Sequence, residues 1–212
     1  MPRRGPRTRL LLAGALLLLG AAPLRAQRRV QLDVAPPTAA TRAATVTTTN
    51  LFGDADMRDL VRSGFPASMR FRLELWRVGG LFNDLERQQD WELIIQYDPT
   101  GQRYRVARRN GDRLEDVGSF ATLSTAQLML ERPLRVTLLP EREGTRYYYN
   151  LVLNIEALSV SDMDQVERWL RGVRGGGAGA ALGNGVRTLM LRMLGGEKRT
   201  YEKRSATFVS ER

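Results

Sequence analysis

The sequence contains no cysteine and no histidine, and only two of its 33 basic residues are lysines, Lys198 and Lys203. Without cysteine the chain forms no disulfide, thiolate nucleophile or zinc–thiolate site. Without histidine it lacks the most common metal ligand and general base, and a Ser–His–Asp triad is excluded. Catalysis would have to rest on carboxylates, tyrosines or the two lysines. The sequence therefore singles out no catalytic, cofactor-binding or metal-binding residue, and we predict no cofactor.

Long uncharged runs are also scarce, and the one at residues 10–22 (LLLAGALLLLGAA) follows a basic start. As a helix it would span about 20 Å, which is short of the roughly 30 Å hydrocarbon core of a bilayer. A basic start, a short apolar run and a small residue at Ala26 are typical of a secretory signal peptide. We predict that residues 1–26 are removed between Ala26 and Gln27 and that 27–212 is exported, to the periplasm or outside the cell. An uncleaved anchor is the alternative.

The formal net charge of +10 depends strongly on this leader. Residues 1–26 hold five arginines and no acid, so the remaining chain carries +5. It has no basic run with interleaved aromatic residues, and we therefore predict no nucleic-acid partner. The excess of arginine over lysine suits a surface that binds phosphate or carboxylate groups. The abundance of Ala, Gly and Leu favours the simpler interpretation, that genomic base composition sets the arginine content.

Apolar and polar residues alternate with a period of two along most of the remaining chain, which predicts antiparallel strands. The predicted strands are 30–34, 45–49, 69–75, 91–97, 102–108, 114–120, 134–139, 147–155 and 200–209. Helices are predicted at 54–63 with Asp54 as the cap, from a capping box at 124–127, at 161–171 and at 186–196. We predict a mainly β fold in one domain, an antiparallel β-sandwich (immunoglobulin-like or related). Its short helices include an insert before the last strand, namely a glycine-rich loop at 173–185 and the amphipathic helix at 186–196.

The order of several of these segments resembles that in a known family. They are Gly64-Phe-Pro with the strand 70–75, then 97–106 (YDPTGQRYRV), 120–123 (FATL) and 146–149 (RYYY). Over about residues 50–158 the chain resembles a bacterial exported family known as domain of unknown function 4390. The resemblance implies a signal peptide and an exported β-rich domain, and it brings no activity and no catalytic residues. The stretch 173–196 departs from the family pattern.

Two apolar helical stripes form the candidate interaction surface. One contains Trp169 and Leu170, and the other contains Leu189, Met190 and Met193. Such stripes either cover an open face of the sheet or dock onto a partner, and methionines suit an adaptable interface. The helix 186–196 could also contact a membrane surface.

We predict an exported, non-catalytic β-sandwich that acts as a partner-binding or scaffold module, with a cell-envelope protein as its partner. The alternatives are a carboxylate-dependent hydrolase of envelope glycans and a small outer-membrane β-barrel. The missing histidine argues against the hydrolase, and the interrupting helices argue against the barrel. For the tyrosine run at 147–149 we predict two rings in the core and one outside, rather than a platform for sugars.

Overall fold

The computed structural model describes residues 29–38, 40–111, 113–157 and 199–210. The strands are β1 (Gln31–Ala35), β2 (Ala44–Thr49), β3 (Ala67–Arg77), β4 (Asp84–Asp98), β5 (Arg103–Asn110), β6 (Arg113–Phe120), β7 (Leu134–Val136), β8 (Arg146–Ala157), β9 (Arg199–Arg204) and β10 (Phe208–Val209), and the helices are α1 (Ala55–Arg62) and α2 (Leu123–Leu130). The signal peptide with its cleavage site, the predicted helices at 161–171 and 186–196, and the glycine-rich loop at 173–185 lie outside the described residues.

The strands form two antiparallel sheets, as the alternation predicts. The smaller sheet has the order β1-β2-β7, and the larger has the order β10-β8-β3-β4-β5-β6 with β9 also paired to β8. Val34, Val46 and Val136 of the small sheet belong to the same buried cluster as Phe71 and Leu153 of the large sheet. The prediction of a mainly β sandwich is confirmed.

Strands β3 and β8 show why a period of two produces this layer. Met69, Phe71, Leu73 and Leu75 of β3 are all buried, because every second side chain of a strand points to the same face. On β8, Tyr147, Tyr149, Leu151, Leu153 and Ile155 lie on that same inner face. Burying a side chain of this size stabilises the fold by about 1.5–3 kcal/mol, so these two central strands supply much of the core.

Helix α1 begins where the sequence predicts. The Asp54 carboxylate accepts a hydrogen bond from the Met57 backbone N–H at 3.0 Å and so caps the helix. Asp54 also pairs with Arg199 at the start of β9. The helix ends at Arg62 with Ser63 as its C-cap, after which Gly64 adopts a φ of +94°, a conformation that favours glycine.

Helix α2 begins two residues earlier than the predicted box at 124–127. Its cap is Thr122, whose hydroxyl accepts from the Thr125 N–H at 3.1 Å, while the Thr125 hydroxyl accepts from the Thr122 N–H at 3.3 Å. Two threonines therefore perform the reciprocal bonding that was assigned to Ser124 and Gln127. This earlier start places Leu123 and Ala126 in the core.

Strand β4 is longer than predicted, because its first half follows no apolar pattern. Residues 84–90 are polar except for Leu85, but their backbone pairs with β3 from Arg77 opposite Asp84 onwards. Backbone pairing alone extends this hairpin beyond the core, where side-chain burial cannot signal a strand.

Two other predicted strands are shorter or divided. The strand predicted at 134–139 ends at Val136, because the chain turns there and the Leu138 N–H donates to the Val136 carbonyl at 3.1 Å. The strand predicted at 200–209 is divided into β9 and β10. Ser205 separates them, because its hydroxyl accepts from the Tyr149 N–H at 2.9 Å and its own N–H donates to the Tyr149 carbonyl at 2.9 Å.

Candidate functional site: the β3–β4 loop

The interaction surface predicted from the sequence is not part of the described chain. Trp169, Leu170, Leu189, Met190 and Met193 all lie outside the described residues. That surface stays a prediction, and the described residues offer a different candidate.

The loop between β3 and β4, residues 78–83, carries the most exposed large apolar side chains described. Leu81 is 94 % exposed and Phe82 is 82 % exposed, whereas Leu128 on α2 is 68 % exposed. Leu81 and Phe82 are adjacent and stand beyond the end of the sandwich core, at the tip of the longest hairpin. Isolated exposed apolar residues are common, but two adjacent large ones at a hairpin tip are a candidate contact for another molecule.

A steric requirement at Gly79 and two hydrogen bonds of Asn83 determine the conformation of this loop. A Cβ atom at Gly79 would overlap the carbonyl oxygen of Phe82, so only glycine fits there. The Gly79 N–H donates to the Asn83 side-chain oxygen at 3.3 Å, and the Asn83 amide nitrogen donates to the Tyr148 hydroxyl at 3.4 Å. The loop is therefore tied both to itself and to β8. The period-two pattern does not reveal this loop, and its signal in the sequence is Leu-Phe between Gly-Gly and Asn-Asp at residues 79–84.

The base of the hairpin is fixed to the body of the protein. One Glu86 oxygen accepts from the Tyr147 hydroxyl at 2.8 Å, and the other accepts from the Glu141 N–H at 2.7 Å. Burial raises the pKa of Tyr147, and its hydrogen bond to the Glu86 carboxylate raises it further. Tyr147 therefore keeps its proton and holds Glu86 in place well above neutral pH.

The charges beside the loop are balanced. Arg77 lies 2.6 Å from Asp84 across the hairpin, and Arg87 lies 2.7 Å from Glu141. The hydrogen bond to Asp84 raises the pKa of Arg77. Arg77, Asp84 and Arg87, on the two strands that carry the apolar loop, are therefore ion-paired.

The outer face of the large sheet carries a buried carboxylate. Glu92 is 6 % exposed, and its oxygens lie 3.2 Å from Arg70 and 3.1 Å from Arg109. Ser68 donates its hydroxyl to the same carboxylate, and Arg70 also reaches Glu156 at 2.8 Å. With its oxygens engaged by three neighbours, Glu92 is suited to holding the strands together rather than to binding a ligand.

A groove of about 470 Å³ lies further along this outer face, lined by Trp76, Tyr148, Asn150, Glu202 and Arg204. Trp76 and Tyr148 stack with ring centroids 6.3 Å apart, and the Arg204 guanidinium lies 3.4 Å above the Tyr148 ring. Tyr147 and Tyr149 belong to the core as predicted, and Tyr148 lies on the outer face, where it is also buried, at 7 % exposed. Arg204 covers the face of Tyr148 that a sugar would need.

The carboxylate beside this groove also has structural partners. One Glu74 oxygen accepts from the Trp76 indole N–H at 2.9 Å and from the Asn150 amide at 3.1 Å. Glu202 lines the groove as well, so an aromatic ring and two carboxylates lie near one another on this face. The alternative of a carboxylate-dependent hydrolase, which would need such a pair, stays a prediction.

No protein-family model, curated protein or solved structure matches this chain. The resemblance to domain of unknown function 4390 stays a prediction that rests on the segments quoted above. Within the described ranges, no helix has the length and the apolar character to cross a bilayer. The fold places this chain in the class of antiparallel β-sandwiches. Its most exposed large apolar side chains among the described residues lie on the β3–β4 loop.

Proposed function

We propose that this chain is an exported, non-catalytic β-sandwich that binds a protein partner in the cell envelope through its β3–β4 loop. The observation that carries the proposal is the exposure of Leu81 and Phe82, at 94 % and 82 %, on a loop held in one shape. Transferring side chains of this size from water into an apolar pocket is worth about 1.5–3 kcal/mol each. A preformed loop also loses little conformational freedom on binding.

The charges beside the loop favour a protein partner over a lipid surface. The four charged residues nearest the tip on its two strands are Arg77, Asp84, Glu86 and Arg87, and their charges cancel. A segment that binds anionic lipids has an excess of Lys and Arg beside its apolar residues. A protein interface instead combines a few apolar anchors with polar residues of balanced charge, and the loop carries two exposed apolar side chains next to strands whose charges cancel.

The composition and the leader support the remaining parts of the proposal. The absence of histidine and cysteine leaves few groups for catalysis, which favours binding over chemistry. Export is supported by the basic and apolar pattern of residues 1–26. The intact mass of the protein isolated from its host tests export, because we expect the chain to begin at Gln27. A mass that includes residues 1–26 would contradict cleavage.

A photo-crosslinker tests the loop directly. A photoreactive phenylalanine analogue at position 82, introduced in the native host, should give one discrete protein adduct on illumination. The same analogue at position 128 is the matched control, because Leu128 is also exposed but lies on α2. Replacing the neighbour, Leu81→Ser, should lower the yield of the adduct from position 82.

Two outcomes would contradict the proposal. One is an identical adduct from positions 82 and 128, since the contact would then not depend on the loop. The other is crosslinking to lipid alone, together with sedimentation of the protein with phosphatidylglycerol vesicles. That result would replace the protein partner by a membrane surface.

A further inference from the structure

The two sheets of the sandwich separate beside α2 and leave a cleft of about 150 Å³ between them. Its floor is formed by Phe71, Trp91 and Val106 of the large sheet, and its roof includes Val46 of the small sheet. Phe71 and Trp91 stack with ring centroids 5.1 Å apart and interplanar angle 3°, so they form one flat apolar wall. This cleft lies between the sheets and does not involve the β3–β4 loop.

Two arginines also line this otherwise largely apolar cleft, Arg108 from β5 and Arg132 just after α2. Neither forms an ion pair in the part of the chain that the structure describes. The Arg108 Nε is buried, and no hydrogen-bond partner for it occurs among the described residues. Its neighbour across the strand pair, Glu115, lies 3.1 Å from Arg113 instead.

A buried donor without an acceptor is unfavourable, and the cost is higher when the donor belongs to a charged group. Native proteins leave few such groups, so this one makes the cleft a candidate site for a ligand that accepts hydrogen bonds. A ligand with acceptor oxygens and a negative charge would match the two guanidinium groups. It must also supply an apolar body, since the walls that lead away from Arg108 are aliphatic and aromatic.

The volume limits the size of this body. An apolar cavity of about 150 Å³ is large enough for a six-membered carbon ring or a comparable piece of acyl chain. A carboxylate suits the head, because the planar guanidinium fork of arginine pairs with a carboxylate through two parallel hydrogen bonds.

We propose that the cleft is a binding site for an amphiphilic carboxylate, a medium-chain fatty-acid anion in chemical terms. The apolar chain lies between the sheets against Phe71 and Trp91. The carboxylate lies at the mouth and accepts hydrogen bonds from Arg108 and Arg132.

Isothermal titration calorimetry of the protein purified from its host tests this proposal with three probes of one chain length. Octanoate has the apolar chain and the negative head, octanol has the chain with a neutral head, and octylammonium has a positive head. Octanoate should bind with a stoichiometry of one. The other two should bind at least about tenfold more weakly, because they lack the charge-assisted hydrogen bonds.

Three substitutions locate the site. Arg108→Gln and Arg132→Gln should each weaken octanoate binding by about tenfold or more. Arg135→Gln is the matched control, because Arg135 is an exposed arginine of β7 that does not line the cleft, and it should leave the affinity unchanged. Arg132 is exposed, so its variant tests the proposal even if the Arg108 variant fails to fold.

Three results would overturn the proposal. The first is that octanoate does not bind. The second is that octanol binds as tightly as octanoate, because the arginines would then have no role. The third is that Arg135→Gln weakens binding as much as the cleft variants, because the effect would then reflect overall charge.

Discussion

Two neighbouring arginines of β5, Arg108 and Arg109, lie on opposite faces of the large sheet and in different surroundings. Arg109 points to the outer face, where its guanidinium lies 3.1 Å from the buried Glu92. Arg108 points to the inner face, where it lines the cleft and its buried Nε has no hydrogen-bond partner among the described residues. One Arg109 nitrogen, Nη2, also has no such partner, but the charge of Arg109 is matched by a carboxylate.

This difference separates arginines that support the fold from arginines available to a ligand. On the outer face, Arg72 lies 2.8 Å from Asp90, and Arg105 lies 3.1 Å from Asp116. Whether a carboxylate lies within ion-pair distance decides what each of these arginines does. An arginine that is ion-paired with a carboxylate stabilises the sheet, whereas Arg108, which has no ion pair among the described residues, is available to an anion in the cleft.

The largest expected effect in this comparison is at the outer face. Glu92→Gln keeps the shape of the side chain but leaves Arg70 and Arg109 without this carboxylate, and we expect a loss of about 3 kcal/mol in the free energy of unfolding. Urea denaturation at neutral pH measures it. Asp90→Asn is the control, because its pair with Arg72 is half exposed and should contribute less than about 1 kcal/mol. Equal effects of the two substitutions would show that Glu92 has no special role.

On the inner face, Tyr149 should make the free energy of unfolding depend on pH in the alkaline range. Tyr149 is fully buried and donates to the Leu138 carbonyl at 2.5 Å, and burial raises its pKa above the ordinary value of about 10. Above about pH 10 the unfolded chain therefore releases the Tyr149 proton while the folded chain keeps it. Stability must fall as pH rises, by up to about 1.4 kcal/mol per pH unit.

Tyr149→Phe tests this assignment. It should cost about 1 kcal/mol at pH 7, through the lost hydrogen bond to Leu138, and should flatten the decline above pH 10. Urea midpoints measured between pH 8 and pH 11 compare the two proteins. If both decline with the same slope, the pH dependence originates elsewhere.

A smaller effect is expected at the β3–β4 loop, which lies outside both faces. Gly79→Ala places a Cβ against the Phe82 carbonyl, and we expect a loss of about 1 kcal/mol and a lower crosslinking yield at position 82. Gly80→Ala is the matched control, because a Cβ there meets nothing within 4 Å. Urea denaturation and the crosslinking assay measure the two consequences separately. Unchanged crosslinking in Gly79→Ala would show that the loop shape does not matter for binding.

Local patterns were sufficient for much of the fold. The alternation in β3 and β8 predicted which side chains enter the core, and Asp54 predicted the start of α1. Between β4 and β5, the Asp98 carboxylate accepts from the Thr100 N–H at 3.0 Å, which is likewise a contact between near neighbours in the chain. These features depend on residues close together in the chain, and a sequence displays them directly.

The candidate sites depend on contacts that no local pattern contains. Alternation predicts that Arg108 and Val106 lie on one face of the sheet and Arg109 on the other. It does not show that the small sheet leaves a cleft above Arg108. The alternation pattern does not reveal the hairpin that carries Leu81, because residues 84–90 pair through their backbone without an apolar period. Both sites arise from how distant segments meet, and the tertiary structure was needed to find them.

Arg108 and Arg109 provide the most direct test of the account, because they are neighbours of one type on opposite faces. Arg108→Gln and Arg109→Gln should be compared for octanoate affinity by calorimetry and for unfolding free energy in urea. We expect Arg109→Gln to lose about 2 kcal/mol of stability with unchanged affinity. Arg108→Gln should change stability by less than about 0.5 kcal/mol, or raise it, and should weaken octanoate binding by about tenfold. If both variants lose stability alike and bind octanoate alike, the distinction between the two faces is wrong.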